Sequence, residues 1–199
     1  MNEFIDRNIT SYIKIADVPN NVINKYKSIA PEELIYIWEN MGLGIYENGF
    51  LQLVNPDEYQ FVLEYIDPLL EPRFIWGFTA LGDLLCWEGN IDATISPKEG
   101  NRCFRVDIHQ CKRNVIDNME GTLNVFIGLE FFLEDMFGAK NYLKNKNKLP
   151  KLNYGECYGY VPTLALGGSK SVKNLKVVNH KAYIELIGQA VGKIIDYGE

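Results

Sequence analysis

The chain has 199 residues, 47% of them hydrophobic and 13% aromatic, enough apolar material for one large domain or two small ones sharing an interface. Its formal net charge is −6. No run of eighteen apolar residues and no basic-then-apolar leader occurs, which argues for a cytoplasmic protein with no membrane partner. Cys86, Cys103, Cys111 and Cys157 are widely spaced, form no C-x-x-C pair and are expected as free thiols.

The charge is lopsided. Residues 1–100 hold 6 Lys+Arg against 16 Asp+Glu, net −10, whereas residues 101–199 hold 14 against 10, net +4. A field of that sign steers a basic partner toward the first half and repels nucleic-acid phosphates from it. Solubility alone is the competing explanation.

In chain order, "IAPEELIYIWENMG" predicts a helix. Pro31 opens it, Glu32 and Glu33 sit in the first turn, Leu34, Ile37, Trp38 and Met41 share a face, and Gly42 stops it. "GIYENGFLQLV" predicts a hairpin turning at Asn48-Gly49. "NPDEYQFVLEYID" repeats the helix recipe, with Asn55 as cap, Pro56 in the first turn, and Asp57 and Glu58 where the macrodipole favours carboxylates.

"RFIWGFTALGDLLCWEGN" and "NRCFRVDIHQC" predict antiparallel strands around a turn-rich stretch holding Ser96-Pro97 and Gly100. After a polar link over 114–121, "TLNVFIGLEFFLEDMFG" predicts one well-buried helix ending at Gly138. "AKNYLKNKNKLPK" reads as a solvated connector, lacking the aromatic platform or arginine fork of a nucleic-acid arm. In "GECYGYVPTLALGGSKS", Tyr158 and Tyr160 alternate on a strand and Gly167-Gly168 makes a tight turn ending it. The chain closes on an apolar stripe, Tyr183, Leu186, Ile187, Ala190, Val191, Ile194 and Ile195, with Gly188 and Gly192 allowing close approach to a neighbour.

The expected fold class is therefore α+β. A mixed, mostly antiparallel sheet carries flanking helices and an amphipathic C-terminal helix, with segments 1–115 and 116–199 packed as one unit.

Catalytic signatures are not evident. A Walker loop fails twice, because Ser169 precedes Lys170 and Leu164 stands in the first glycine's place. A Cys157 nucleophile needs His109 or His180 beside it, and a small buried thiol is the simpler reading. On one strand, Cys103 and His109 lie about 20 Å apart, too far to share a zinc ion. Asp83 and Glu88 suit an acid/base pair by residue type alone, but read better as surface carboxylates beside a packed Trp87. No catalytic residue, metal or cofactor is expected.

Three ordered blocks carry a resemblance: "PEELIYIWENMGLGIYENGFLQLVNPDEYQFVLEYI", "TALGDLLCWEG" and "GECYGYVPTLALGGSKSVKNLKVVNHKAYIELIGQ". Together they resemble a bacterial family with an N-terminal GAD-like domain and a C-terminal immunity domain, which includes immunity proteins of type VI secretion DNase effectors. The resemblance implies a GAD-like domain over 1–115 and an immunity-type domain over 116–199. It further implies a non-enzymatic inhibitor that binds a cognate toxin or effector protein.

An acidic face suits the basic surface that a DNase presents to phosphates. The candidate partner-binding residues are Glu47, Asp57, Glu58, Asp83, Trp87, Glu88 and Tyr158. Two other readings stay open: an interaction domain with no toxin partner, including a homodimer through the glycine-bearing terminal helix, and a small enzyme with an unrecognised site.

Overall fold

Near-continuous apolar runs at the centre of the chain form strands buried on both faces. The structure, a computed structural model, describes residues 3–66, 73–89 and 101–195. One antiparallel sheet meanders in sequence order through β1 (Ile13–Ala16), β2 (Leu43–Tyr46), β3 (Leu51–Leu53), β4 (Arg73–Thr79), β5 (Leu84–Glu88), β6 (Arg102–Asp107) and β7 (Lys112–Val115). The predicted turn stretch with Ser96-Pro97 and Gly100 lies outside the described residues.

Each face of the sheet holds its own core. Phe74, Trp76, Leu85, Trp87 and Cys103 face one side, under α1 (Glu3–Asn8), α2 (Asn20–Tyr26), α3 (Glu32–Asn40), α4 (Met119–Asn124), α5 (Glu130–Met136) and α6 (Lys140–Asn145). Ile75, Phe78, Leu84, Cys86, Phe104 and Val106 face the other, against the tightly wound segment Pro56–Tyr65 and α7 (His180–Val191). A second hairpin, β8 (Glu156–Tyr160) with β9 (Leu175–Asn179), abuts the sheet, and the Tyr158 N–H donates to the Ala80 carbonyl at 2.8 Å. Both cores thus contain residues from the first and last thirds of the chain. The fold is α+β with a mostly antiparallel sheet and an amphipathic C-terminal helix, as the sequence predicts.

Local chemistry explains the element ends. In α3 the four predicted face residues are all buried, and Pro31 sits at the N-cap. Gly42 ends the helix at φ +81°, where an added Cβ would strike the Ala16 carbonyl oxygen, so only glycine fits there. The hairpin turns where Asn48-Gly49 predicts, with Glu47, Asn48 and Gly49 all at positive φ. Gly188 lets α7 approach Pro56–Tyr65, since a Cβ there would meet the Tyr65 ring at 2.6 Å.

Several expectations are corrected. Asn55 does cap the next segment, accepting from the Asp57 N–H, but the segment winds as a 3-10 helix. The polar link over 114–121 instead begins with the last residues of edge strand β7 and ends in α4, capped by Asn118. The strand holding Cys103 stops at Asp107, so His109 and Cys111 fall in the following turn.

The single helix predicted up to Gly138 is broken into α4, a short turn and α5, and it exposes Val125, Leu129 and Phe131. Arg7 is a physical reason: its guanidinium donates to the Leu123 and Asn124 carbonyls at 2.7 and 2.6 Å, capping α4 from outside. The lysine-rich connector forms α6 and buries Tyr142. Gly167-Gly168 closes a 3-10 turn beyond the strand, which ends at Tyr160. In α7, Leu186 and Val191 face solvent while Ile184 is buried.

Candidate partner-binding surface

Each of the seven predicted partner-binding residues has a partner inside the molecule. Glu47 takes the Arg7 guanidinium at 2.9 Å and the Asn8 amide at 2.9 Å, which anchors α1 to the hairpin turn. Asp57 pairs with Lys25 at 2.5 Å and Glu58 with Lys181 at 2.6 Å. The Lys25 hydrogen bond holds the Asp57 carboxyl below its usual range. Asp83 pairs with Arg105 at 3.0 Å, and Glu88 with Arg113 at 2.6 Å. Trp87 donates from Nε1 to the Ile29 carbonyl, and Tyr158 from its hydroxyl to the Pro150 carbonyl.

Burial sorts them further. Asp83 and Glu88 are 1% and 2% exposed, so they are core carboxylates and not the surface groups expected. Strands β5 and β6 are buried on both faces, and each acid is kept by an arginine beside it. Trp87, Tyr158 and Tyr160 are buried as well, so the candidate Trp87 and Tyr158 rings are not open to a partner. Glu58 keeps a solvent-exposed carboxylate, whereas Asp57 is half-buried and also accepts from the Tyr26 hydroxyl.

Asp83 belongs to a polar centre where the β4–β5 and β6–β7 turns meet the C-terminal segment. Arg105 also reaches Asp107 at 2.7 Å and the Met136 carbonyl at 2.5 Å. Burial pushes the Asp83 carboxyl above its usual range, while Arg105 pulls it the other way. His109 donates from Nε2 to the Leu81 carbonyl and His180 from Nε2 to the Gly82 carbonyl, so both histidines of the chain clasp one turn.

His180 is stacked on Phe78 with centroids 3.7 Å apart, and the Tyr59 hydroxyl donates to its Nδ1. Burial drops its pKa to about 3, so it is neutral at physiological pH. Cys157 is fully buried and its thiol pKa is pushed up, which keeps it protonated. Among the described residues no group of three or more His, Cys, Asp or Glu is placed to hold a metal ion, and no helix is long and apolar enough to cross a membrane.

The open relief lies elsewhere, along α3. Lys27, Glu32, Glu33, Ile35, Tyr36, Glu39, Glu120 and Asn124 line a cleft of about 710 Å³. Glu33 and Glu120 also border a second, of about 750 Å³, over Ile29, Trp87 and Met119. Lys27 and Glu39 border a third, of about 610 Å³, beside Asp17 and Trp38. Shared walls make these one trough between α3 and its neighbours α2 and α4. Among the described residues, none of the three clefts is lined by a histidine or cysteine.

Among the described residues, the Glu32, Glu33, Glu39 and Glu120 carboxylates have no cation within ion-pair distance. The sequence explains Glu32 and Glu33 as first-turn acids of α3, and this hid their second property. Glu32, Tyr36 and Glu39 recur at spacing four and three on the face opposite Leu34 and Ile37. That polar face was the available signal.

Comparison with known proteins gives two family matches. Residues 1–98 match the GAD-like domain family, and residues 124–191 match the family described as T6SS immunity protein Tdi1, C-terminal. No curated protein matches the chain. Among solved structures, the crystal structure of Atu4351 from Agrobacterium tumefaciens is similar at 22% identity and a TM-score of 0.70, covering 96% of this chain and 89% of that one. At that identity the likeness shows a shared fold.

Proposed function

From a chain whose residues 1–98 match the GAD-like domain family and whose residues 124–191 match the Tdi1 type VI secretion immunity C-terminal family, we propose a non-enzymatic immunity protein that binds and neutralises a cognate toxin, a DNase effector of type VI secretion. The observation that carries this reading is the match of residues 124–191 to the Tdi1 immunity domain. The physical chemistry supports it. A DNase needs a basic surface for phosphates, and a protein that covers that surface with carboxylates excludes DNA by competition without chemistry of its own. The histidines and Cys157 are committed to internal contacts, which favours binding over catalysis.

On this reading the protein works in the cytoplasm, where an incoming nuclease meets DNA. The test is co-expression with the product of the adjacent gene in cells that the product alone arrests. Restored growth together with co-purification is the expected result. Continued arrest without co-purification contradicts the reading.

A further inference from the structure

Two exposed aromatics have no structural account in the fold. Phe131 is 82% and Tyr36 51% exposed. Tyr36 stands in the trough wall between Glu33 and Glu39. Asn124 closes the same cleft at the end of α4, and the chain then presents Val125, Leu129 and Phe131 to solvent within seven residues. Exposed large apolar groups close together in the chain mark a candidate interaction surface, and aromatics are the residues that most often carry binding energy.

The trough's charge selects the occupant. Its Glu32, Glu33, Glu39 and Glu120 carboxylates are unpaired among the described residues, and Lys27 is the cation among the described residues lining the α3–α4 cleft. Nucleic acid and anionic lipid are repelled by such a wall. A second copy carries the same trough and a net charge of −6, so two such faces repel each other. A protein whose contact face bears lysine or arginine around an apolar depression satisfies both features.

We propose that the α3–α4 trough, with Tyr36 on its wall and the exposed Phe131 on the segment that follows α4, is the docking surface for the basic face of the effector. This rests on the function proposed above and adds the place and chemistry of contact. Helix α3 belongs to the GAD-like segment, whereas Phe131 belongs to the immunity segment, so the surface needs both parts of the chain.

The test uses the full-length chain and, as probe, the product of the adjacent gene, with affinity and association rate measured at low and high salt. Wild type is compared with Y36A/F131A, with E32Q/E33Q/E39Q/E120Q, and with D57N/E58Q. None of these eight side chains is buried, and thermal unfolding confirms that each variant folds.

The expected results are a loss of about thirtyfold or more in affinity for the aromatic variant and about tenfold slower association at low salt for the quadruple variant, converging at high salt. D57N/E58Q is expected to stay within about threefold of wild type, because exposed pairs contribute little. Wild-type binding that both trough variants retain overturns this inference and leaves the proposed function standing. Failure of the wild type to bind the probe and to rescue growth overturns both. A wild-type dimer that Y36A/F131A dissolves also overturns the inference, because the occupant is then a second copy.

Discussion

The carboxylates beneath the sheet and those along the trough differ in one respect, whether a cation stands close enough to cancel them. Asp83, Asp107 and Glu88 are buried and held by Arg105 and Arg113. Glu32, Glu33, Glu39 and Glu120 are paired with nothing among the described residues and border open clefts. A closely spaced ion pair projects little field beyond a Debye length of about 8 Å, whereas unpaired charges of one sign add along a cleft. The comparison teaches that acidic density in a sequence does not locate a partner surface. Pairing does.

The sharpest way to break that contrast is to remove a buried cation. Arg105→Ala leaves Asp83 and Asp107 as uncompensated buried acids and is expected to lower stability by about 3–5 kcal/mol, read from the urea midpoint with an unchanged m-value. A loss below about 1 kcal/mol denies the buried pairs their structural role.

His180 gives the next effect, through pH. Its folded pKa of about 3 lies below the unfolded value, so the unfolded chain takes up the proton first and stability falls as pH drops below about 6.5. Between pH 6.5 and 4.5 the loss from this group is about 2–3 kcal/mol. The difference between the wild-type and H180Q stability curves isolates it, and parallel curves over that range contradict the buried neutral histidine.

A smaller effect comes from Gly188→Ala, where the new methyl group meets the Tyr65 ring. Overpacking outweighs the helix-propensity gain, for a net loss of about 1–2 kcal/mol. The smallest belongs to the trough. E32Q/E33Q/E39Q/E120Q is expected to shift stability by no more than about 1 kcal/mol, since Glu32 and Glu33 favour the start of α3 while Glu39 opposes its end. A larger loss means that these acids serve the fold.

Much of the fold was legible where one residue type has one physical use. The Leu34, Ile37, Trp38 and Met41 stripe, the Asn48-Gly49 turn and the Asn55 cap are local signals, and the chain obeys them. The breaks at α4 and α5 were not legible, because they depend on Arg7, which is more than a hundred residues away in sequence. The same limit applied to the surface. Asp83 and Glu88 read as exposed because the strands beside them alternate weakly, and no local signal reports that Arg105 and Arg113 lie across the ladder. Glu32 and Glu33 were visible as helix-start acids, but whether a cation stands near them, as none does among the described residues, depends on the whole fold.

The most direct measurement is amide hydrogen exchange on the chain alone and in complex with the product of the adjacent gene. The account predicts new protection over Glu32–Asn40 and across residues 119–132, with little change in Pro56–Tyr65 on the opposite face of the sheet. Protection confined to Pro56–Tyr65 and α7, with α3 and α4 exchanging as in the free protein, contradicts it.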